Sequence, residues 1–156
     1  MRRRPVPIVM LCALVLAASP AWADTMFVTT LDGTLECPPV TTPGTGFGTF
    51  VLNGAETHLT IHVEYAGLLG APTLQHIHNA PPTACGAVAF TLPAGGSPID
   101  AVWAIPAAMV TQLHAGLLYV NVHSNAFPGG EIRGQIVAGP TRTAPGSWGR
   151  IKMLYR

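Results

Sequence analysis

The sequence is poor in charge and rich in residues that break helices. Only 10% of its 156 residues are charged, and 8 Lys and Arg against 7 Asp and Glu leave a net charge of +1. Disordered chains combine high net charge with low apolar content, whereas 49% of this chain is hydrophobic. The missing basic patch argues against nucleic acid as a partner. With 17 Gly and 15 Pro, the chain is also unsuited to a helical bundle.

Common catalytic motifs are missing as well. The sequence contains no Gly-x-Ser-x-Gly, no phosphate-binding Gly loop and no His-Glu-x-x-His. Its carboxylates are scattered singly, so no paired-carboxylate hydrolase site is indicated. The sequence therefore favours a non-enzymatic role.

Residues 1–23 have the pattern of a secretory signal peptide. Three arginines precede an apolar run over residues 6–18, and Ala21-Trp22-Ala23 forms a typical cleavage site after Ala23. The run is shorter than the ~20 residues that a membrane span needs. We therefore predict an exported protein, periplasmic or extracellular, with no membrane span after cleavage. Its remaining 5 basic and 7 acidic residues give a net charge of −2.

Cleavage would also simplify the cysteines. Cys12 leaves with the signal peptide, and only Cys37 and Cys85 remain. Two cysteines in an oxidising compartment favour one disulfide. A thiolate metal site is the alternative.

The rest of the chain reads as short strands between Gly- and Pro-containing turns, with one helix predicted over 106–114. This pattern predicts an all-β fold, an antiparallel, Greek-key-like sandwich or barrel, over residues 24–138. Residues 139–156 hold four of the basic residues and several Gly and Pro, and are predicted to form a solvated tail. The predicted strands cover 26–31, 46–53, 58–65, 74–78, 87–92, 99–104, 117–123 and 131–138.

The histidines are the only polar side chains whose spacing in the sequence indicates a functional cluster. His76 and His78 alternate on one predicted strand, so their imidazoles share a face. His123 ends another strand, and if the two strands are neighbours, three imidazoles meet in a copper or zinc site. The alternative is that these rings are hydrogen-bonded polar groups without a metal. His58, His62 and His114 are predicted to face solvent or end the helix, and not to be ligands.

Several segments resemble the chordin-type (CHRD) domain family over roughly residues 26–138. The most specific is LLYVNVHSNAFPGGEIRGQ at 117–135, supported by LDGTLECPPV at 31–40, YAGL at 65–68 and QHIH at 75–78. The resemblance implies an immunoglobulin-like or dismutase-like sandwich in an extracellular setting. It implies a binding or structural module with an unidentified extracellular or periplasmic partner.

The His-x-His strand is also similar to that of the copper–zinc superoxide dismutases. There a His-x-His pair and a later histidine hold copper, which corresponds here to His76, His78 and His123. The zinc ligands have no counterpart, and the loop from His123 to Arg133 is too short for the charged channel of the dismutases. The resemblance thus makes a mononuclear copper protein, for storage, delivery or redox chemistry, the alternative function. Redox activity at copper is the only enzymatic option.

Two features bear on the surroundings of these histidines. Cys37 and Cys85 occupy loop positions where the usual family pattern has no cysteine, and a disulfide there would support the loop after His78. Glu36 and Glu131 are predicted either to pair with Arg133 in a structural role or to orient a histidine.

Overall fold

A computed structural model describes residues 22–140. The predicted tail beyond Pro140, and the predicted signal peptide up to residue 21, lie outside the described residues. Within the described part, no helix has the length and apolar character needed to cross a membrane. Residues 22–140 form nine strands, one α-helix and one short 3-10 helix. In chain order these are β1 Thr25–Asp32, 3-10 Gly33–Leu35, β2 Thr45–Leu52, β3 Leu59–Ala66, β4 Pro72–Asn79, β5 Ala87–Thr91, β6 Ile99–Trp103, α1 Ala107–His114, β7 Leu118–Ser124, β8 Ile132–Gln135 and β9 Val137–Ala138.

The strands form one antiparallel sheet that curls into a nearly closed barrel, which confirms the predicted fold class. Their order is β5-β4-β7-β8-β1-β2-β3-β6, with β9 paired to β1. The sheet's two end strands approach each other, since Phe90 on β5 stacks on Trp103 of β6 with ring centroids 4.9 Å apart. Alternating side chains of each strand fill the interior with apolar groups, among them Phe50, Ile61 and Val120.

The helix and the last strands differ slightly from the predicted bounds. Pro106 is the N-cap and the helix runs over Ala107–His114, because proline tolerates the first turn but lacks the N–H that later turns need. The predicted strand 131–138 is divided into β8 and β9. Between them Ile136 is fully buried and donates its N–H to the carbonyl of Leu118, so the chain turns inward there.

The central strand β7 is buried on both faces. Val120 and Val122 pack into the barrel, whereas Tyr119, Asn121 and His123 lie on the outer face. Loops at 33–44, 80–86 and 125–131 shield this outer face, where they contact its polar side chains. A partly enclosed polar layer therefore lies outside the apolar core.

Candidate metal centre

The register of β4 against β7 brings the three predicted histidines together. These strands are neighbours, with His76 opposite Asn121 and His78 opposite Tyr119. The intervening Ile77 is fully buried in the core, which leaves both imidazoles on the outer face. His76, His78 and His123 each offer a ring nitrogen, and these nitrogens all lie within 4.8 Å of one another.

The spacing fits one transition-metal ion. The Nδ1 of His76 lies 3.2 Å from the Nε2 of His123, which suits two nitrogens on one tetrahedral ion with bonds of about 2.0 Å. The 4.8 Å limit slightly exceeds the roughly 4 Å between nitrogens on opposite sides of an ion, so small ring rotations would complete the set. Imidazole nitrogen is a ligand for copper, zinc, iron and nickel.

Backbone carbonyls hold two of the rings by their Nδ1 atoms. The Nδ1 of His78 lies 2.9 Å from the carbonyl of Gly86, and the Nδ1 of His123 lies 3.0 Å from the carbonyl of Pro128. A carbonyl can only accept, so each Nδ1 carries a proton, and the Nε2 of a neutral ring held in this way keeps its lone pair. The Nε2 of His78 is buried and has no hydrogen-bond partner in the described part of the chain. This arrangement, a ring N–H fixed by a carbonyl, is typical of metal-ligating histidines.

Burial favours the neutral form of two of the rings, His76 and His78. Burial lowers the pKa of His76, and the nearby His123 and His78 lower it further. Burial also lowers the pKa of His78, although its hydrogen bond to Gly86 opposes the shift. Neutral imidazole is the form that binds metal ions.

The cysteines form a disulfide, as the cysteine count predicted. Cys37 and Cys85 are bonded, with their Cα atoms 5.8 Å apart, so neither offers a thiolate to a metal. The alternative of a thiolate site is therefore wrong. The disulfide joins the loop that carries Glu36 to the loop that carries Gly86.

The predicted pairing of Glu36 or Glu131 with Arg133 is not formed. Glu36 accepts hydrogen bonds from the N–H of Cys37 and the amide of Asn121, and Glu131 accepts them from Thr42 and from the N–H of Leu69. No hydrogen bond links either carboxylate to the three histidines in the described residues. Glu36 ties the 33–44 loop to β7, and Glu131, just before β8, contacts Thr42 in that loop and Leu69 in the loop after β3.

The pKa values of Glu36 and Glu131 are shifted in opposite directions. Burial raises the pKa of Glu36 to about 7, against the opposing hydrogen bond from Cys37 and the charge of Arg133. Burial would also raise the pKa of Glu131, but hydrogen bonds from Ser124, Thr42 and the backbone outweigh it and lower the pKa. Glu36 is thus about half protonated near neutral pH, whereas Glu131 is ionised.

The other three histidines lie apart from this cluster. His62 contacts Asp100 and Glu64 on the exposed surface of β3 and β6, and His114 contacts Glu56 beside the helix end. His58 is exposed and bonds to Thr57. The structure therefore places these three histidines on the surface, outside the cluster of His76, His78 and His123.

A small antiparallel barrel with three converging imidazoles on its outer face defines an all-β module with a candidate metal centre. The model of the CHRD domain matches residues 27–136, more than half of the chain. The chain belongs to the CHRD domain family, which confirms the resemblance found in its motifs. No curated protein and no solved structure is significantly similar to it.

Sequence reasoning missed the contribution of Tyr119 and Arg133. The ring of Tyr119 stacks on His78, and the guanidinium of Arg133 lies 3.5 Å from the centre of the same tyrosine ring. The sequence shows which face of its strand each of these two side chains lies on. It does not show the register of β7 against β4 and β8, which brings both residues close to His78.

Proposed function

We propose that this domain binds a single copper ion through His76, His78 and His123. The observation that carries the proposal is the convergence of three imidazole nitrogens within 4.8 Å, with two rings already fixed by carbonyls. Sites of nitrogen ligands bind Cu(II) more tightly than zinc or the other divalent first-row metals. Copper is therefore the ion that this ligand set favours.

Storage or delivery of copper suits the charge of the domain better than turnover of an anion. All seven acidic side chains lie in the described part of the chain, where Arg133 is the single Lys or Arg and is buried. A negative domain attracts cations and repels anionic substrates such as superoxide. We infer a module that holds copper and passes it to an acceptor.

Export is part of the same proposal. A disulfide persists in oxidising compartments, and CHRD membership is consistent with an extracellular setting. Cleavage after Ala23 would release the domain without its apolar leader. N-terminal sequencing of the protein recovered from the periplasm or medium tests this step, and an intact residue 1 would contradict it.

Copper titration tests the site itself. The metal-free protein is expected to take up one equivalent of Cu(II), with nitrogen hyperfine structure in its EPR spectrum. A His76→Ala, His78→Ala double variant should lose both uptake and splitting, because it removes two of the three ligands. The matched control is His58→Ala with His62→Ala, which removes one imidazole just before β3 and one on it, and should leave copper binding unchanged. Failure of the wild-type protein to bind either Cu(II) or Cu(I) stoichiometrically would overturn the proposal.

A further inference from the structure

Arg133 is a buried cation held without an ion pair. Its side chain is 1% exposed, and no carboxylate of the described residues lies within 4.0 Å of its guanidinium. Burying an unpaired charge is costly, so the groups that surround it must compensate. They are the carbonyl oxygens of Ala84 and Pro81, at 2.9 and 3.1 Å, the Oε1 of Gln135 at 3.5 Å, and the face of the Tyr119 ring.

These contacts fix the loop that orients His78. Ala84 and Pro81 belong to the 80–86 loop, and the same loop ends at Gly86, whose carbonyl accepts the Nδ1 proton of His78. Gly86 lies so close to the backbone of Asn79 that a side chain has no room there. The loop is therefore seated tightly against β4.

Tyr119 contacts both His78 and the loop. Its ring is nearly parallel to the His78 ring, with centroids 5.0 Å apart, and its hydroxyl accepts a hydrogen bond of 3.0 Å from the N–H of Gly86. Gly86 thus contacts Tyr119 through its N–H and His78 through its carbonyl. Any displacement of the tyrosine would move both supports of the His78 ring.

We propose that Tyr119 and Arg133 are the positioning residues of the copper site, and that the buried charge of Arg133 favours Cu(I) over Cu(II). This inference rests on the proposed function. Tyr119 fixes the plane of the His78 ring by stacking on it and holds Gly86, whose carbonyl fixes the tautomer of His78. Arg133 holds Tyr119 and the 80–86 loop in place. The guanidinium of Arg133 lies against the same Tyr119 ring that stacks on His78. A fixed positive charge at this place raises the energy of a doubly charged ion on His78 more than that of a singly charged ion.

Tyr119→Phe tests the positioning role with little change in shape. The variant keeps the stacked ring and the contact with Arg133, but it leaves the N–H of Gly86 without its acceptor. Loss of such an outer support typically lowers metal affinity by about 10-fold, and we expect this loss for both Cu(II) and redox-inert Zn(II). The matched control is Tyr65→Phe, which removes a hydroxyl bonded to Gly95 and Gln75 and should leave both affinities unchanged.

Two substitutions of Arg133 separate charge from geometry. Arg133→Lys keeps the positive charge but loses the planar contact with Tyr119, so zinc affinity should fall while the Cu(II)/Cu(I) potential stays close to that of the wild type. Arg133→Gln removes the charge, and the potential should fall. Circular dichroism establishes that each variant is folded before its metal binding is compared. If Arg133→Gln does not fold, Tyr119→Phe still tests positioning, and Arg133→Lys must still preserve the potential.

The outcomes distinguish this inference from the function on which it rests. If the wild-type protein binds no copper, the proposed function fails. If the wild-type protein binds copper through its histidines, but folded Tyr119→Phe matches it in Cu(II) and Zn(II) affinity, only the positioning role fails. An unchanged potential in folded Arg133→Gln, or a potential lowered in Arg133→Lys, would overturn the role of the charge.

Discussion

His78 and His62 lie on strands of the same sheet but meet opposite kinds of partner. His78 is buried on the outer face of β4 and donates to a backbone carbonyl, and its pKa is lowered, above all by burial. His62 is half exposed on β3, with Asp100 2.7 Å from one ring nitrogen and Glu64 3.5 Å from the other. The hydrogen bond to Asp100 is the main reason that the pKa of His62 is raised.

The difference shows how the partner of an imidazole determines what the ring can do. A carbonyl fixes the proton on one nitrogen and leaves the other nitrogen free for a metal ion. Carboxylates on both sides stabilise the doubly protonated ring, which has no lone pair to offer. The cluster on β4 and β7 is therefore suited to metal binding, and the pair on β3 and β6 is suited to an ion pair.

The largest expected effect is the loss of stability when the disulfide between Cys37 and Cys85 is removed. A Cys37→Ala, Cys85→Ala double variant opens a loop with a sequence separation of 48 residues. In the chain-entropy model, this lowers the free energy of unfolding by about 4 kcal/mol, which urea denaturation will measure. The pKa of His62, followed by NMR, should not change, because its partners lie on other strands. A loss below about 1 kcal/mol would contradict the prediction.

The next largest effect is the pH dependence of stability that Glu36 causes. Unlike the exposed carboxylates beside His62, the carboxyl group of Glu36, beside the histidine cluster, is buried. The pKa of buried Glu36 is raised to about 7 from an ordinary value of 4.5, so the folded state retains a proton that the unfolded state loses. Stability should therefore fall as the pH rises between these two values, by roughly 2–3 kcal/mol from about pH 5 to about pH 8. Urea denaturation at both pH values measures it.

Glu36→Gln is the control for this pH dependence. The amide does not titrate, so the decline attributed to Glu36 should disappear while the contributions of all other groups remain. Equal pH dependence of the variant and the wild-type protein would show that Glu36 does not titrate in this range.

A carboxylate placed beside His76 should raise the pKa of this histidine, as Asp100 raises the pKa of His62. Thr91 lies opposite His76 across β4 and β5 and is exposed. Thr91→Asp should raise the pKa of His76, by up to about 0.7 unit, because cross-strand charge pairs contribute roughly 0.2–1 kcal/mol. NMR titration of the metal-free protein measures the shift. Thr91→Asn, which adds no charge, should leave the pKa where it is, and equal shifts in both variants would exclude a charge effect.

The smallest effect is expected when a carboxylate beside His62 is removed. Asp100→Asn removes the main cause of the raised pKa of His62, so NMR titration should show that this pKa falls toward its ordinary value. Glu64→Gln should lower it less. Since the pKa is raised in the folded state, the ion pair stabilises the protein below the ordinary value of about 6.5 and ceases to do so as the pH rises through the raised pKa. A larger shift in Glu64→Gln than in Asp100→Asn would reverse this ranking.

The strands and the identity of the clustered histidines were predictable because both depend on local alternation. Leu59, Ile61 and Val63 alternate with polar residues, and the structure buries all three. His76 and His78 share a face for the same reason. The 3-10 helix at Gly33–Leu35 was not predicted, although Asp32 accepts a hydrogen bond from the N–H of Thr34, as an N-cap residue does.

The surroundings of the histidines depended on contacts between segments that are distant in the chain. The sequence predicts that Glu36 or Glu131 either pairs with Arg133 or orients a histidine. The guanidinium instead contacts two backbone carbonyls, the amide oxygen of Gln135 and an aromatic ring. Loop carbonyls carry no signature in the sequence, so the acceptors supplied by Gly86 and Pro128 could not be predicted.

The pairing of β4 with β7 has a consequence for how the site assembles. Ile77 is fully buried between two histidines that face outward, and His78 stands opposite Tyr119. A slip of β4 by one residue would bury both imidazoles in the apolar barrel and expose Ile77, at a cost that the fold could not sustain. The correct register and the complete set of three imidazoles are therefore formed together. Copper uptake would then report that the two strands have paired correctly.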